Sequence, residues 1–299
     1  MKSNILLLIT AMIWGFAFVA QRSGMEHLGP FTFNGIRFSL GAVSLLPLMY
    51  INSKRTFTSI PFFPVLSDKN LKNGGIIIGL ILFFGASFQQ GGIVFTTAGS
   101  AGFITGLYIV IVPILGILFK NKTSLNIWIG AFIALIGLYF LSITDKFTMG
   151  TGDLLVLVST IFWSLHVLVV ARFSPKTDPL QLAFLQFIIC GILSLIAGLI
   201  TETITFQNII DTAIPILYAG IASTGIAFTF QVIAQREAHP SNAAIIMSLE
   251  SVFAVIGGWI ILSEQIPLRG IFGCVLMLTG MIISQLRFNK LIRHKKAER

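Results

Sequence analysis

Ten separate apolar runs, each about long enough to cross a bilayer, constrain this chain more than any other feature. A hydrocarbon core about 30 Å thick asks for roughly 20 apolar residues per helix. Runs that meet this length lie near 5–22, 31–51, 73–95, 98–119, 124–144, 150–172, 178–200, 212–234, 241–262 and 268–286. Backbone polar groups must be satisfied internally in lipid, so runs of this length are read as helices. The fold class is therefore an all-α polytopic membrane protein. Composition agrees: 55% of the residues are hydrophobic and 10% charged, where soluble domains carry roughly 25% charged residues. The connections are short and leave no stretch for a water-soluble domain. The longest, 52–72, holds the apolar stretch Ile60–Leu66 broken by Pro61 and Pro64. It is too short to span and is expected to lie at the interface.

The net charge of +9 takes its meaning from its placement. With the N-terminus cytoplasmic, 16 of the 20 Lys and Arg fall in inner segments and the tail, 3 (Arg22, Lys146, Arg269) in outer loops and 1 (Arg37) within a span. Lys and Arg concentrate in cytoplasmic loops of membrane proteins, so the basic balance reads as topology, with both termini cytoplasmic, and not as nucleic-acid binding. The basic tail 288–299 also suits anionic lipid. Cys190 and Cys274 both sit inside apolar runs, which supports neither a disulfide framework nor a metal site. No HExxH, GxSxG or GxxxxGK[ST] motif is present, so metalloprotease, serine hydrolase and ATPase readings lack their warrants. No cofactor is expected.

The chain also repeats itself. Ile13-Trp14-Gly15 aligns with Phe162-Trp163-Ser164 at an offset of 149, as do Pro30-Phe31 with Pro179-Leu180 and Ile36-Arg37-Phe38 with Leu185-Gln186-Phe187. Phe88-Gln89 meets Phe230-Gln231 at 142, and Gly130 and Gly137 meet Gly273 and Gly280 at 143. The matches keep their order along five successive spans. The first span matches an internal one and holds Trp14-Gly15 without a small-x-small cleavage site, so it reads as a retained helix and not a signal peptide. Five is odd, so the second copy enters the membrane upside down. The expected organisation is ten transmembrane helices as two inverted five-helix repeats, 1–144 and 150–287, around a central cavity. Inverted repeats are a common transporter architecture, with the substrate site near the midplane between them.

Ala11-Met12-Ile13-Trp14-Gly15, Arg37-Phe38, Ala101-Gly102-Phe103-Ile104-Thr105-Gly106-Leu107-Tyr108 and Pro113 carry a family likeness in the first half. Ser248-Leu249-Glu250-Ser251-Val252-Phe253-Ala254, Gly258-Trp259 and Ser263-Glu264 carry it in the second. Over about residues 5–286 the chain resembles the EamA-type branch of the drug/metabolite transporter superfamily. The resemblance implies ten helices, a central cavity and movement of small metabolites, often outward. The family often has proline after the glutamate of the ninth helix, where this chain has Ser251. A weaker kink is expected there.

Ionised groups inside a bilayer are costly unless paired or wet, and only Arg37 and Glu250 lie well inside a span. Glu250 reads as a protonatable group lining the cavity, sensing substrate charge or coupling to protons, or as a carboxyl hydrogen-bonded for packing. Arg37 reads as an anion contact or gate charge, or as a cation snorkelling to the outer interface. Its repeat counterpart is Gln186. Gln89 and Gln231 line a hydrated path or join helices by hydrogen bonds. Trp14 and Trp163 wall a site or pack. His166, three residues after Trp163, shares its face, and is a titrating group or a satisfied structural one. Thr105, Tyr108 and Ser248 add hydroxyls. Gly15, Gly257, Gly258 and Pro113 are the candidate hinges.

The function expected is secondary transport of small metabolites (amino acids, related metabolites or amphipathic drugs) across the cytoplasmic membrane, in the export direction and by alternating access. The alternative is a membrane-embedded enzyme or assembly factor holding a lipid-like substrate. The partners expected are a small-molecule substrate, membrane lipid and coupling protons, with the protein a monomer or weak dimer.

Overall fold

Every predicted span forms a helix in the computed structural model, which describes residues 2–55, 68–121, 123–142, 150–262 and 268–286. The helices are α1 (Lys2–Gly24), α2 (Pro30–Arg55), α3 (Lys69–Ile93), α4 (Ala98–Leu118), α5 (Leu125–Ser142), α6 (Thr151–Phe173), α7 (Pro179–Thr201), α8 (Ala213–Ala234), α9 (Pro240–Ile261) and α10 (Leu268–Gln285). Among the described residues nine are long and apolar enough to cross a membrane, and Leu125–Phe140 of α5 is a shorter apolar helix. The stretch Ile60–Leu66, the pair Ser263-Glu264 and the tail 288–299 lie outside the described residues. One short helix, Phe206–Asp211, falls in what the sequence reads as the loop before α8. It is capped by Thr205, whose hydroxyl accepts from the Asn208 amide.

Proline opens α2, α7 and α9, where its missing amide proton costs nothing and its fixed φ suits the first turn. Asp178 caps α7, accepting from the Gln181 amide at 2.9 Å. At the equivalent place before α2 stands Gly29, which has no side chain to cap with. Glu202 at the end of α7 supplies the acceptor instead, taking the Phe31 and Thr32 amides at 2.8 Å each and the Thr32 hydroxyl at 2.6 Å.

Three helices depart from regular α geometry. α4 breaks at Leu107, between Ala98–Gly106 and Tyr108–Leu118. α9 breaks at Ser248-Leu249, between Pro240–Met247 and Glu250–Leu262. At the offset of 143 Leu107 aligns with Glu250, so the two breaks fall at nearly the same place in each half. α8 runs as a π-helix over Tyr218–Phe228. Its counterpart in α3 is regular.

α2 packs on α7 and α5 on α10. α1 lies against α8 and α9, while α6 lies against α3 and α4. The second pair of contacts is the first with each helix replaced by the one five places away. The α5–α10 contact repeats this in detail. A Cβ at Gly130 would lie 2.5 Å from the Gly280 carbonyl oxygen, and one at Gly137 would lie 2.6 Å from that of Gly273. Small residues let membrane helices approach this closely. The outward faces are apolar, with Ile117, Leu199, Ile200 and Trp259 more than half exposed, as contact with lipid tails requires.

Candidate solute-binding cavity

The helix breaks and the π segment surround a buried cavity. Trp14, Phe18 and Gln21 of α1, Arg37 of α2, Gln89 of α3, and Thr105 and Tyr108 of α4 line it from the first half. Trp163, His166 and Val167 of α6, Ser223, Phe228 and Gln231 of α8, and Met247 and Glu250 of α9 line it from the second. Every one of these except Trp14 is at most 9% exposed. The space is narrow, about 40 Å³ to the centre of a water-sized sphere. That is room for a few waters.

The wall is aromatic at its middle. The Phe228 ring lies 4.7 Å from Trp14, 5.9 Å from Trp163 and 5.8 Å from His166 between centroids. Trp14 Nε1 donates to the Ser223 carbonyl at 3.3 Å, fixing α1 to the π segment. Gln89 Nε2 donates to the Thr105 hydroxyl at 3.0 Å. His166 Nε2 pairs with Gln186 Oε1 at 2.9 Å, which leaves Nδ1 without a partner.

Both intramembrane charges reach this cavity. Arg37 is 2% exposed and its guanidinium lies 4.7 Å from the Phe38 ring centroid and 5.8 Å from that of Phe33. Glu250 is 3% exposed and opens the second half of α9, where the positive end of the helix dipole favours a carboxylate. Tyr108, at the start of the second half of α4, lies near enough to Glu250 to interact electrostatically. Among the described residues neither Arg37 nor Glu250 enters an ion pair. Other polar atoms of the lining are left bare: among the described residues Gln21 Oε1, Arg37 Nε, Trp163 Nε1, His166 Nδ1 and both amide atoms of Gln231 have no hydrogen-bond partner, and Tyr108 Oη and Glu250 Oε1 have none within 3.5 Å. Folded proteins leave few such atoms; among the described residues 8 of 18 belong to this lining, and others, such as Gln90 Oε1 and Arg269 Nε, lie outside it.

Nine of the ten side chains singled out from the sequence line this cavity: Trp14, Arg37, Gln89, Thr105, Tyr108, Trp163, His166, Gln231 and Glu250. Ser248 does not. It is buried in the α9 break, where its hydroxyl donates to the Ile245 carbonyl at 2.9 Å. Arg37 does not snorkel to an interface, because its side chain is buried toward the cavity. The break beside Glu250 forms without proline, against the weaker kink expected. The Leu249 amide bonds Ile246 and the Ser251 amide bonds Ser248, both three residues back, while the Ser251 hydroxyl donates to Gly102 of α4. Of the hinge candidates, Gly15 lies within a continuous α1, and a Cβ there would lie 2.6 Å from the Glu250 carbonyl oxygen. Pro113 sits six residues beyond the α4 break, and Gly257 and Gly258 lie within the second half of α9. Gly257 faces Phe16, with a Cβ there 3.0 Å from its ring.

Six lining residues escaped the sequence reading. Phe18 and Gln21 follow Trp14 at four and seven residues, the spacing of one helix face, and that signal was available. Val167 likewise follows Trp163 by four. Ser223 and Phe228 face the cavity together at a spacing of five, a period that belongs to the π-helix and to no pattern read from sequence. Met247 carries no polar signal.

The sequence model of the EamA-like transporter family matches residues 1–143 and again 150–285. A protein of Archaeoglobus fulgidus named an uncharacterized transporter is 31% identical over 282 residues, covering 94% of this chain and 85% of that one. The uncharacterized transporter YoaV of Bacillus subtilis is 22% identical over 292 residues, covering 95% and 97%. A solved structure described only as "Crystal structure of protein" superposes with a TM-score of 0.77 at 16% identity, covering 97% of this chain and 98% of its own. That last likeness is one of fold alone.

Proposed function

The chain belongs to the EamA-like transporter family, and from that premise we propose that it is a secondary transporter exporting small amphoteric metabolites by alternating access. It is a multi-pass membrane protein of a transporter family. The single observation that carries the finer reading is that Arg37 and Glu250 line one buried cavity without pairing to each other. An ionised group in the membrane costs several kcal/mol unless it is paired or hydrated. A solute carrying both a carboxylate and an amine, an amino acid or a near relative, complements both at once. The aromatic wall of Trp14, Trp163 and Phe228 takes its apolar part.

The two halves act as inverted repeats in this reading. The exchange of packing partners between α1–α5 and α6–α10 supports it, as do the matched breaks at Leu107 and Ser248-Leu249. The closed cavity is then an occluded stage, and rocking of one half on the other opens it to either side. The charge bias supports a cytoplasmic position for the face with both termini, and the family likeness suits the cytoplasmic membrane of a prokaryote. Glu250 is the group through which protons couple to transport.

The test is a thermal-shift screen of the purified protein against amino acids, their decarboxylated amines and their deaminated acids, followed by flux measurements in liposomes. Ligands that bind the folded state raise its apparent stability. Stabilisation by amphoteric members beyond either single-charge analogue, with net solute movement, is the expected result. Chemical turnover without solute movement would sink the transporter reading.

A further inference from the structure

A second cavity opens on the face of the bundle that carries Ser3, between the ends of α4, α6 and α8 and the start of α9. By the same measure it holds about 450 Å³, more than ten times the central space. The two lie back to back. Val167 lines the central cavity and its neighbour Leu168 the outer one; Gln231 of α8 lines the first and Gln235, four residues on and just past the end of α8, the second. Gln235 is 1% exposed, its Nε2 donates to the Val167 carbonyl at 3.0 Å, and its Oε1 has no partner. Residues adjacent in the chain thus line the two spaces, and the Gln235 amide is bonded to the backbone of Val167 between them.

The outer cavity is charged. Arg172 and Arg236 line it, both exposed, with Glu237 as the acid in the lining. The Glu237 Oε2 accepts from the Ser3 hydroxyl, and among the described residues neither arginine is in an ion pair. A recess with an excess of one charge sign and low-dielectric walls focuses its field and raises the local concentration of counter-ions. The guanidinium fork matches the geometry of a carboxylate or phosphate oxygen pair.

We propose that this vestibule is a separate binding station for solutes bearing a small oxyanion group, which Arg172 and Arg236 take before the solute passes Gln235 toward Arg37. The proposal rests on the transporter reading above. It assigns a site that shares no residue with the central cavity. It also makes Gln235 the latch between the two.

Cysteine chemistry tests it on the full chain without a known substrate. Cys190 and Cys274 are replaced by Ala, and Ala171→Cys places a thiol on the vestibule lining. The protein in neutral phosphatidylcholine vesicles is labelled with an anionic and a cationic methanethiosulfonate, each rate divided by that for a free thiol. The anionic reagent is expected to react at least about fivefold faster on this scale, falling to within about twofold in the Arg172→Gln, Arg236→Gln double variant. Benzoate slows labelling of the parent and not of the double variant. Equal normalised rates in the parent overturn the proposal. So does a preference that benzoate leaves untouched and anionic phosphatidylglycerol in the vesicles abolishes, since that pattern marks a lipid-headgroup site. For the latch, Val167→Cys labels about tenfold faster with Gln235→Ala added, as loss of one hydrogen bond allows. An unchanged rate removes Gln235 from that role. Labelling needs no transport, so failure of flux alone sinks the proposed function, and failure of the charge preference alone sinks the vestibule.

Discussion

The Ser251 hydroxyl donates to the Gly102 carbonyl at 2.8 Å, joining the two broken helices, α9 and α4, at the level of the central cavity. Proline at 251 would break α9 by removing a backbone donor. Serine instead holds the broken segment to its neighbour, and it keeps the amide that bonds Ser248. The break beside Glu250 is thus tied across the repeat boundary. Hydrogen bonds between membrane helices contribute about 0.6 kcal/mol on average and up to ~1.7. Ser251→Ala is expected to lower stability within that range, read by thermal unfolding in detergent. No change would mean that the bond adds nothing to holding α4 and α9 together.

The glycine contact between α5 and α10 makes a harsher demand. At Gly130 the atom that a Cβ would meet is the Gly280 carbonyl oxygen, and at Gly280 it is that of Gly130, each at 2.5 Å. Backbone cannot rotate away as a side chain can, so the helices must separate. Gly130→Ala or Gly280→Ala is expected to destabilise by about 1–3 kcal/mol, the usual cost of overpacking. Gly91→Ala, where a Cβ meets nothing within 4 Å, serves as the control and is expected to change stability little. Equal melting of all three proteins would rule out the close approach.

Much of this architecture is legible in the sequence because bilayer thickness fixes helix length. α10, predicted over 268–286, is observed as Leu268–Gln285, and α8, predicted over 212–234, as Ala213–Ala234. The cavity was legible wherever polarity breaks an apolar run, as at Arg37, Gln89, His166 and Glu250. It was illegible where the backbone leaves the α period. The π segment brings Ser223 and Phe228 to one wall, and the break at Ser248-Leu249 carries neither proline nor glycine. Ser248 misled for the opposite reason: its hydroxyl is polar and in register, and it is spent on the Ile245 carbonyl. Gln235 was not singled out, because its partner, the Val167 carbonyl, comes from another helix.

Glu202 offers a test on the opposite face of the bundle. It accepts three hydrogen bonds from Phe31 and Thr32 at the start of α2, in place of the cap that Gly29 cannot give. A Cβ at Gly29 would collide with the Glu202 carboxyl, so the glycine makes room for the cap that replaces its own. Removing a helix cap costs ~1 kcal/mol, with a range of about 0.5–2. Glu202→Ala is expected to fall in the upper half of that range. Glu202→Gln keeps an acceptor and loses the charge that favours the helix N-terminus, so it should fall between Ala and the parent. If Gln is as damaging as Ala, charge and not hydrogen bonding holds this end.

The central pair separates two consequences of one cavity. Arg37 and Glu250 both line it and among the described residues neither is in an ion pair, so each is open to a ligand group of its own. Removing one should therefore subtract the response to one half of the solute and spare the other. Arg37→Gln is expected to weaken binding of carboxylate-bearing solutes at least about tenfold, equal to ~1.4 kcal/mol, while amines lacking a carboxylate are unaffected. Glu250→Gln should do the reverse, and should also leave transport without its dependence on a proton gradient. Both glutamines fit the space of the residues they replace and keep hydrogen-bonding capacity, so loss of fold is not the expected cause. The measurement is the thermal-shift titration of each variant with an amino acid, its amine and its acid, alongside flux in liposomes with and without a pH gradient. If both variants lose both solute classes equally, the two groups act as one structural unit and the amphoteric reading fails. If Glu250→Gln keeps gradient-driven flux unaltered, the coupling proton resides elsewhere.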